Sequence, residues 1–134
     1  MPPNRFAPDD PKEWLNRAKS NLARAKADRH LDEVYLEDLC FDAQQAAEKS
    51  MKALLITAKK DFPRTHDLAE LLSLIERAGY AVPESVRSAP RLSVYSTVTR
   101  YPGVAGAVSD QDYREAVIIA EAVLVWAEST LPKE

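Results

Sequence analysis

Five polar residues, Gln44, Gln45, Glu48, Lys49 and Lys52, interrupt an otherwise Ala- and Leu-rich stretch between Cys40 and Leu55. On a helix, Gln45, Glu48 and Lys52 share one face at i, i+3 and i+7, and Glu48 to Lys52 is a favourable i,i+4 ion pair. A solvated face with a helix salt bridge explains the pattern. So does a polar network between helices, in which every buried group needs a partner. His66 stands in Thr65-His66-Asp67-Leu68 at the start of a predicted helix. There Thr65 suits the N-cap and Asp67 the first turn. Alternatively, His66 and Lys52 converge on an anion at that helix N-terminus. Arg100, in Arg100-Tyr101-Pro102-Gly103, offers a guanidinium fork for a phosphate or carboxylate, or pins its loop to the bundle through carbonyls or Glu48. Tyr95 and Tyr101 offer rings on which a base stacks. The candidate ligand-binding residues are therefore Gln45, Glu48, Lys52, His66, Tyr95, Arg100 and Tyr101.

These residues must be positioned by helices. Pro2, Pro3, Pro8 and Pro11 keep the first residues out of a regular helix, so 1–8 reads as a flexible N-terminal arm and 9–134 as a single domain. Asp9 or Asp10 caps a first helix that runs to about Arg29, with Trp14, Ala18, Leu22 and Ala25 at helical spacing. A second helix runs from near Asp32 to near Lys59, with Leu39, Ala43, Ala46, Ala47, Ser50 and Leu54 in its apolar stripe. A third starts at Thr65 or His66, buries Leu68, Leu71, Leu72 and Ile75, and stops at Gly79. Pro83 opens a fourth that Pro90 kinks or divides. After a loop over about 96–109, Asp110 caps a fifth helix with Tyr113, Val117, Ala120, Val123, Leu124 and Ala127 on its stripe. Only Val94 to Val98 alternates like a strand, and it lacks a partner segment. The expected fold is all-α, an antiparallel up-and-down bundle of four to five helices.

Bulk properties narrow the function. With 134 residues, 46% hydrophobic and 29% charged, the chain is long enough for one domain with its own core. No run of 18 apolar residues is present, so no membrane span is expected. The first eight residues lack the apolar core of a secretory signal, and Cys40 is the sole cysteine, so a cytoplasmic location without disulfides is expected. A net charge of −3 argues against bulk electrostatic attachment to nucleic acid, though Arg87, Arg91 and Arg100, or Lys59, Lys60 and Arg64, can form local basic patches. There is no P-loop, no Gly-x-Gly-x-x-Gly and no Cys/His cluster for zinc, so no cofactor or metal is expected. Cys40 reads as a small core residue rather than a nucleophile.

Three segments carry a family resemblance. Ala43-Gln44-Gln45-Ala46-Ala47-Glu48-Lys49, the Phe62-Pro63-Arg64-Thr65-His66-Asp67-Leu68 link and Thr99-Arg100-Tyr101-Pro102 resemble the HEPN domain (higher eukaryote and prokaryote nucleotide-binding), in the family's usual order over roughly residues 10 to 131. The resemblance implies a nucleotide or RNA ligand, a homodimer and, by analogy, a separately encoded minimal nucleotidyltransferase in a toxin–antitoxin pair. Many HEPN domains are ribonucleases with an Arg, four to six residues, then a His. Arg100 is the candidate for that Arg, but Tyr101-Pro102-Gly103-Val104-Ala105-Gly106-Ala107 contains no His. Without it, metal-free cleavage lacks its acid/base group. Arg24 to His30 satisfies the spacing formally, yet it lies at the end of the first helix and is read as coincidence.

The resulting expectation is a module that binds a nucleotide or a nucleic-acid phosphate without turning it over. Lys52, His66 and Arg100 would contact phosphate, while Gln45 and Glu48 order them. The alternatives are a ribonuclease toxin with a non-standard site using Arg100, Tyr95 and His66, and a structural adaptor whose polar cluster fixes bundle register.

Overall fold

A computed structural model describes residues 3–27, 32–96 and 107–132. Four α-helices form the bundle: α1 (Pro11–Ala27), α2 (Leu36–Thr57), α3 (Leu68–Arg77) and α4 (Asp110–Thr130). Two 3₁₀ segments, Glu84–Val86 and Ala89–Ser96, lie between α3 and α4. There is no strand among the described residues. None of the described helices is long and apolar enough to cross a membrane.

The centre of the bundle is α2, which packs against α1, α3, α4 and the second 3₁₀ segment. Its sequence explains this. Ala43, Ala46, Ala47 and Ala53 are fully buried, and such small side chains let neighbouring helices come close. Fourteen of its 22 residues are buried, which removes any solvated face large enough for Gln44, Glu48 and Lys52. Contacts along α1 run against α2: Trp14 meets Lys52, while Asn21 and Arg24 meet Asp42. They run against α4 as well, where Lys19 meets Glu128 and Lys26 meets Glu121. These pairings make α1 antiparallel to both, as an up-and-down bundle requires.

The helix termini differ in detail from the sequence reading. α2 starts at Leu36 rather than near Asp32, because Tyr35 is extended at the N-cap. Val34 before it and Leu39 after it both join the core, the arrangement of a hydrophobic staple. Asp67, not Thr65, caps α3 by accepting from the Ala69 amide, while Thr65 accepts from the Asp67 amide. Ser109, not Asp110, caps α4 in a reciprocal capping box with Asp112. The expected fourth helix is two short 3₁₀ segments. Pro90 sits in the first turn of the second one, where its missing N–H is tolerated. Gly79, at φ +101°, ends α3 in a left-handed conformation that a side chain would strain.

The expected arm is tied to α1 at three points. The Asn4 and Pro8 carbonyls accept from Asn16 and Trp14, and the Phe6 amide donates to Glu13.

Candidate functional site

The site is organised by Glu48, which is buried in mid-α2. Both its carboxylate oxygens are engaged. Oε1 accepts from Gln44 Nε2 at 3.0 Å and pairs with His66 Nδ1 at 2.8 Å. Oε2 accepts from Lys52 Nζ at 3.0 Å. Burial opposes ionisation, but the hydrogen bonds from Gln44, His66 and Lys52, with the charge of Lys52, outweigh it and hold the carboxyl below its ordinary range. The i,i+4 spacing on both sides of Glu48 places Gln44 and Lys52 on its own face, one turn below and one above. Gln44 has no exposed surface at all, and its amide also reaches the His66 carbonyl at 3.4 Å. Gln45 is half-buried and donates to Gln44 Oε1 at 2.8 Å.

Lys52 is enclosed on its other sides by aromatic rings. Its ammonium lies 5.9 Å from the Trp14 ring centre and 5.6 Å from that of Phe62, and the two rings meet edge to face at 6.4 Å. A cation between two rings and a carboxylate is already neutralised and largely desolvated. His66 differs: it belongs to the segment before α3, and its side chain remains 59% exposed. With Nδ1 on Glu48, Nε2 makes no hydrogen bond among the described residues and is the ring nitrogen open to a ligand. The link Phe62 to Asp67 therefore does two jobs, supplying a ring against Lys52 and an imidazole against Glu48.

Of the residues singled out from sequence, the structure brings Gln45, Glu48, Lys52 and His66 together. Tyr95 lies elsewhere. It is half-buried on the second 3₁₀ segment, and its hydroxyl pairs with the Cys40 thiol. Burial, with Cys40 and Asp112 nearby, pushes Tyr95 up to about 12. Burial, with Asp112 and Glu37, pushes Cys40 up to about 12 as well, which keeps the thiol protonated and unreactive. Arg100 and Tyr101 lie outside the described residues, as does His30. Among the described residues no group of three His, Cys, Asp or Glu stands together as a metal site.

A second polar network was not read from the sequence. Asp42, buried on α2, accepts from Asn21 and Arg24 of α1, and Asn21 in turn accepts from Lys49 at 2.8 Å. Asn21 is the informative position: it falls among Ala18, Leu22 and Ala25 on the inner stripe of α1, where an amide must find a partner. Gln44, Trp14 and Phe62 were likewise absent from the sequence-derived site. Gln44 had a legible signal, being four residues before Glu48 on the same face.

Residues 11–130 match the model of the HEPN domain. Among solved structures, the chain is similar to TT1696 from Thermus thermophilus, with 32% identity over 90% of this chain and 98% of that one, at a TM-score of 0.75. It is also similar to ST0689, an archaeal HEPN homologue, with 27% identity over 90% of this chain and 96% of that one, at a TM-score of 0.67. No curated protein matches the chain. The family match spans most of the sequence, and the fold and the order of the motifs agree with it: the chain belongs to the HEPN domain family.

Proposed function

We propose that this HEPN domain is a binding module for a nucleotide or a nucleic-acid phosphate, working without turnover. The observation that carries the reading is the Glu48–His66 pair. A buried carboxylate, itself held by Gln44 and Lys52, fixes one ring nitrogen of an exposed imidazole and leaves the other, when it carries a proton, to donate to a phosphate oxygen. His66 is then the contacting group, with Arg100 as the second phosphate ligand, while Glu48, Lys52 and Gln45 order the imidazole from within the bundle. Tyr101 remains a candidate for base stacking, whereas Tyr95 lies away from the imidazole, against Cys40. The protein acts as a homodimer, beside a minimal nucleotidyltransferase in a toxin–antitoxin-like pair. The exposed Ile118 and Val125, seven residues apart on α4, support a second copy on that helix. The test is thermal stabilisation by short single-stranded RNA, for wild type, His66→Ala and Arg100→Ala. Stabilisation lost in both variants is expected. Equal stabilisation in all three proteins contradicts the reading.

A second reading has its own support in the same pair. An imidazole oriented by a carboxylate is suited to general acid/base work, which favours a ribonuclease with a non-standard site.

A further inference from the structure

Trp14 also walls a separate cavity of about 350 Å³ between the N-terminal segment and α1 and α2, and its lining includes Arg5, Phe6, Glu13, Arg17 and Lys49. A neighbouring cavity of about 240 Å³ shares Arg5, Glu13 and Arg17. The wall is built rather than draped, since Asn16, Glu13 and Trp14 each hold one backbone group of residues 4–8.

The charges facing this cavity are unbalanced. Glu13 is the sole carboxylate of the lining, and both its oxygens are used, Oε1 by the Phe6 amide and Oε2 by Arg17 Nε. Against it stand Arg5, Arg17 and Lys49. Arg5 makes no hydrogen bond or ion pair among the described residues, although its charge favours ionised Glu13. Arg17 binds Glu13 through Nε, which leaves its terminal nitrogens for another acceptor. Lys49 is fixed by a relay: Arg24 and Asn21 converge on Asp42, and Asn21 Oδ1 holds the Lys49 amine. The relay uses one of the three ammonium protons. Burial, then the charge of Arg17, with that of Arg24 as well, makes the Lys49 cation less stable than usual, against the help of Glu48 and Asp42. Such a place is positive, partly dry and short of anions. A bound anion would relieve it, and the Trp14 and Phe6 rings give it an aromatic wall of the kind that planar ligands use.

We propose that this cavity is a second ligand site, which holds a phosphate monoester carried on a planar ring, with the phosphate on Arg17, Lys49 and Arg5 and the ring against Trp14 and Phe6. A monoester suits the site better than a monoanion because three cations face a carboxylate that is already hydrogen-bonded. The site does not rest on the His66 reading. It uses different residues, and the two share only Trp14.

The test is calorimetric titration of the full chain with adenosine 5′-monophosphate, adenosine and inorganic phosphate. The nucleotide binds, while adenosine and phosphate each bind at least tenfold more weakly. Arg17→Gln and Lys49→Gln each weaken nucleotide binding at least tenfold, and His66→Ala leaves it unchanged. Arg5→Gln provides a variant on the N-terminal segment, outside every helix, and it too weakens binding. A wild-type chain that shows a cooperative melt but binds no nucleotide overturns the proposal. So does binding unchanged in Arg17→Gln and Arg5→Gln. Binding lost in His66→Ala but kept in Arg17→Gln also overturns it, and assigns the ligand to the Glu48–His66 site. Loss of RNA binding in His66→Ala, with nucleotide binding intact, supports both sites separately.

Discussion

His66 Nδ1 stands 2.8 Å from Glu48 Oε1, although Glu48 is buried in mid-helix and His66 is largely exposed in the link before α3. The pair joins the interior of the bundle to its surface. On the inner side, Lys52 and Gln44 secure the carboxylate. On the outer side the imidazole is aimed by a group that cannot itself reach a ligand. Lys52 thus bears on the imidazole through Glu48, to which its Nζ donates at 3.0 Å.

Removing the carboxylate is expected to be costly. Glu48→Ala strands the Lys52 ammonium between Trp14 and Phe62 with no counter-charge, and losing one partner of a buried ion pair costs about 3 kcal/mol. Urea unfolding should show that loss. Replacing both members, Glu48→Leu with Lys52→Met, should recover most of it, because an apolar pair of similar volume needs no partners. A single variant within about 0.5 kcal/mol of wild type, the range of surface substitutions, would show that the pair is solvated.

The same pair gives the protein an acid-sensitive contribution. The Glu48 carboxyl is held below its ordinary value of 4.5 in the folded chain. A depressed folded value means that the unfolded state binds the proton more tightly. The stabilisation is therefore complete above the unfolded value and disappears as pH falls through the folded one. Glu13 is also depressed, by the Phe6 amide and Arg17, and Glu76 by Arg87, so wild type loses stability in acid from several sources. The informative quantity is the difference in melting temperature between wild type and Glu48→Gln. It should be largest near neutrality and shrink below about pH 4, where the unfolded carboxyl protonates. A difference constant from about pH 7 to about pH 3 would mean that ionised Glu48 contributes nothing.

How much of this was legible follows from the range over which each signal acts. The stripes of α1, α3 and α4 were readable because helical periodicity is local, and Leu68, Leu71, Leu72 and Ile75 are all buried as their spacing required. The Glu48 cluster was readable because three of its members lie within two turns of one helix. The pairing of Tyr95 with Cys40 was not, since those residues are far apart in sequence, and alone Cys40 reads as a core position and Tyr95 as a stacking ring. Nor was the Asn21–Asp42–Lys49 relay, which exists only because α1 and α2 run in opposite directions at this register. The aromatic enclosure of Lys52 likewise needs Trp14 and Phe62 to arrive from two separate elements. The fourth predicted helix failed locally: proline placement marked its start and interruption, but not the shift to 3₁₀ geometry.

Self-association should use the outer face of α4. Trp126 and Ile119 are buried within one chain, whereas Ile118 and Val125 are 67% and 58% exposed. A two-fold contact would place the same stripe on both copies. Light scattering should give twice the 15.0 kDa of a single chain, and Ile118→Glu with Val125→Glu should return it to one chain. A wild-type mass of one chain at micromolar concentration would contradict the dimer.

The last prediction concerns turnover. The Arg-x4-6-His arrangement is absent after Arg100, and that loop supplies no imidazole to protonate a leaving oxygen. His66 is the exposed imidazole that the bundle positions, and its fixed Nδ1 leaves Nε2 for a ligand. One oriented imidazole binds a phosphate well, but cleavage by the 2′-hydroxyl also needs a second group to complete the proton transfers. The isolated protein is therefore expected to leave a mixed RNA pool intact while still binding it, with binding weakened in His66→Ala and Arg100→Ala. Cleavage abolished by His66→Ala would establish the ribonuclease reading, with Glu48 as the residue that orients its base. In that case Glu48→Gln should lower kcat far more than it changes KM, because it misorients the imidazole without removing it. Cleavage abolished only by His30→Ala would instead assign the activity to the Arg24–His30 spacing at the end of the first helix.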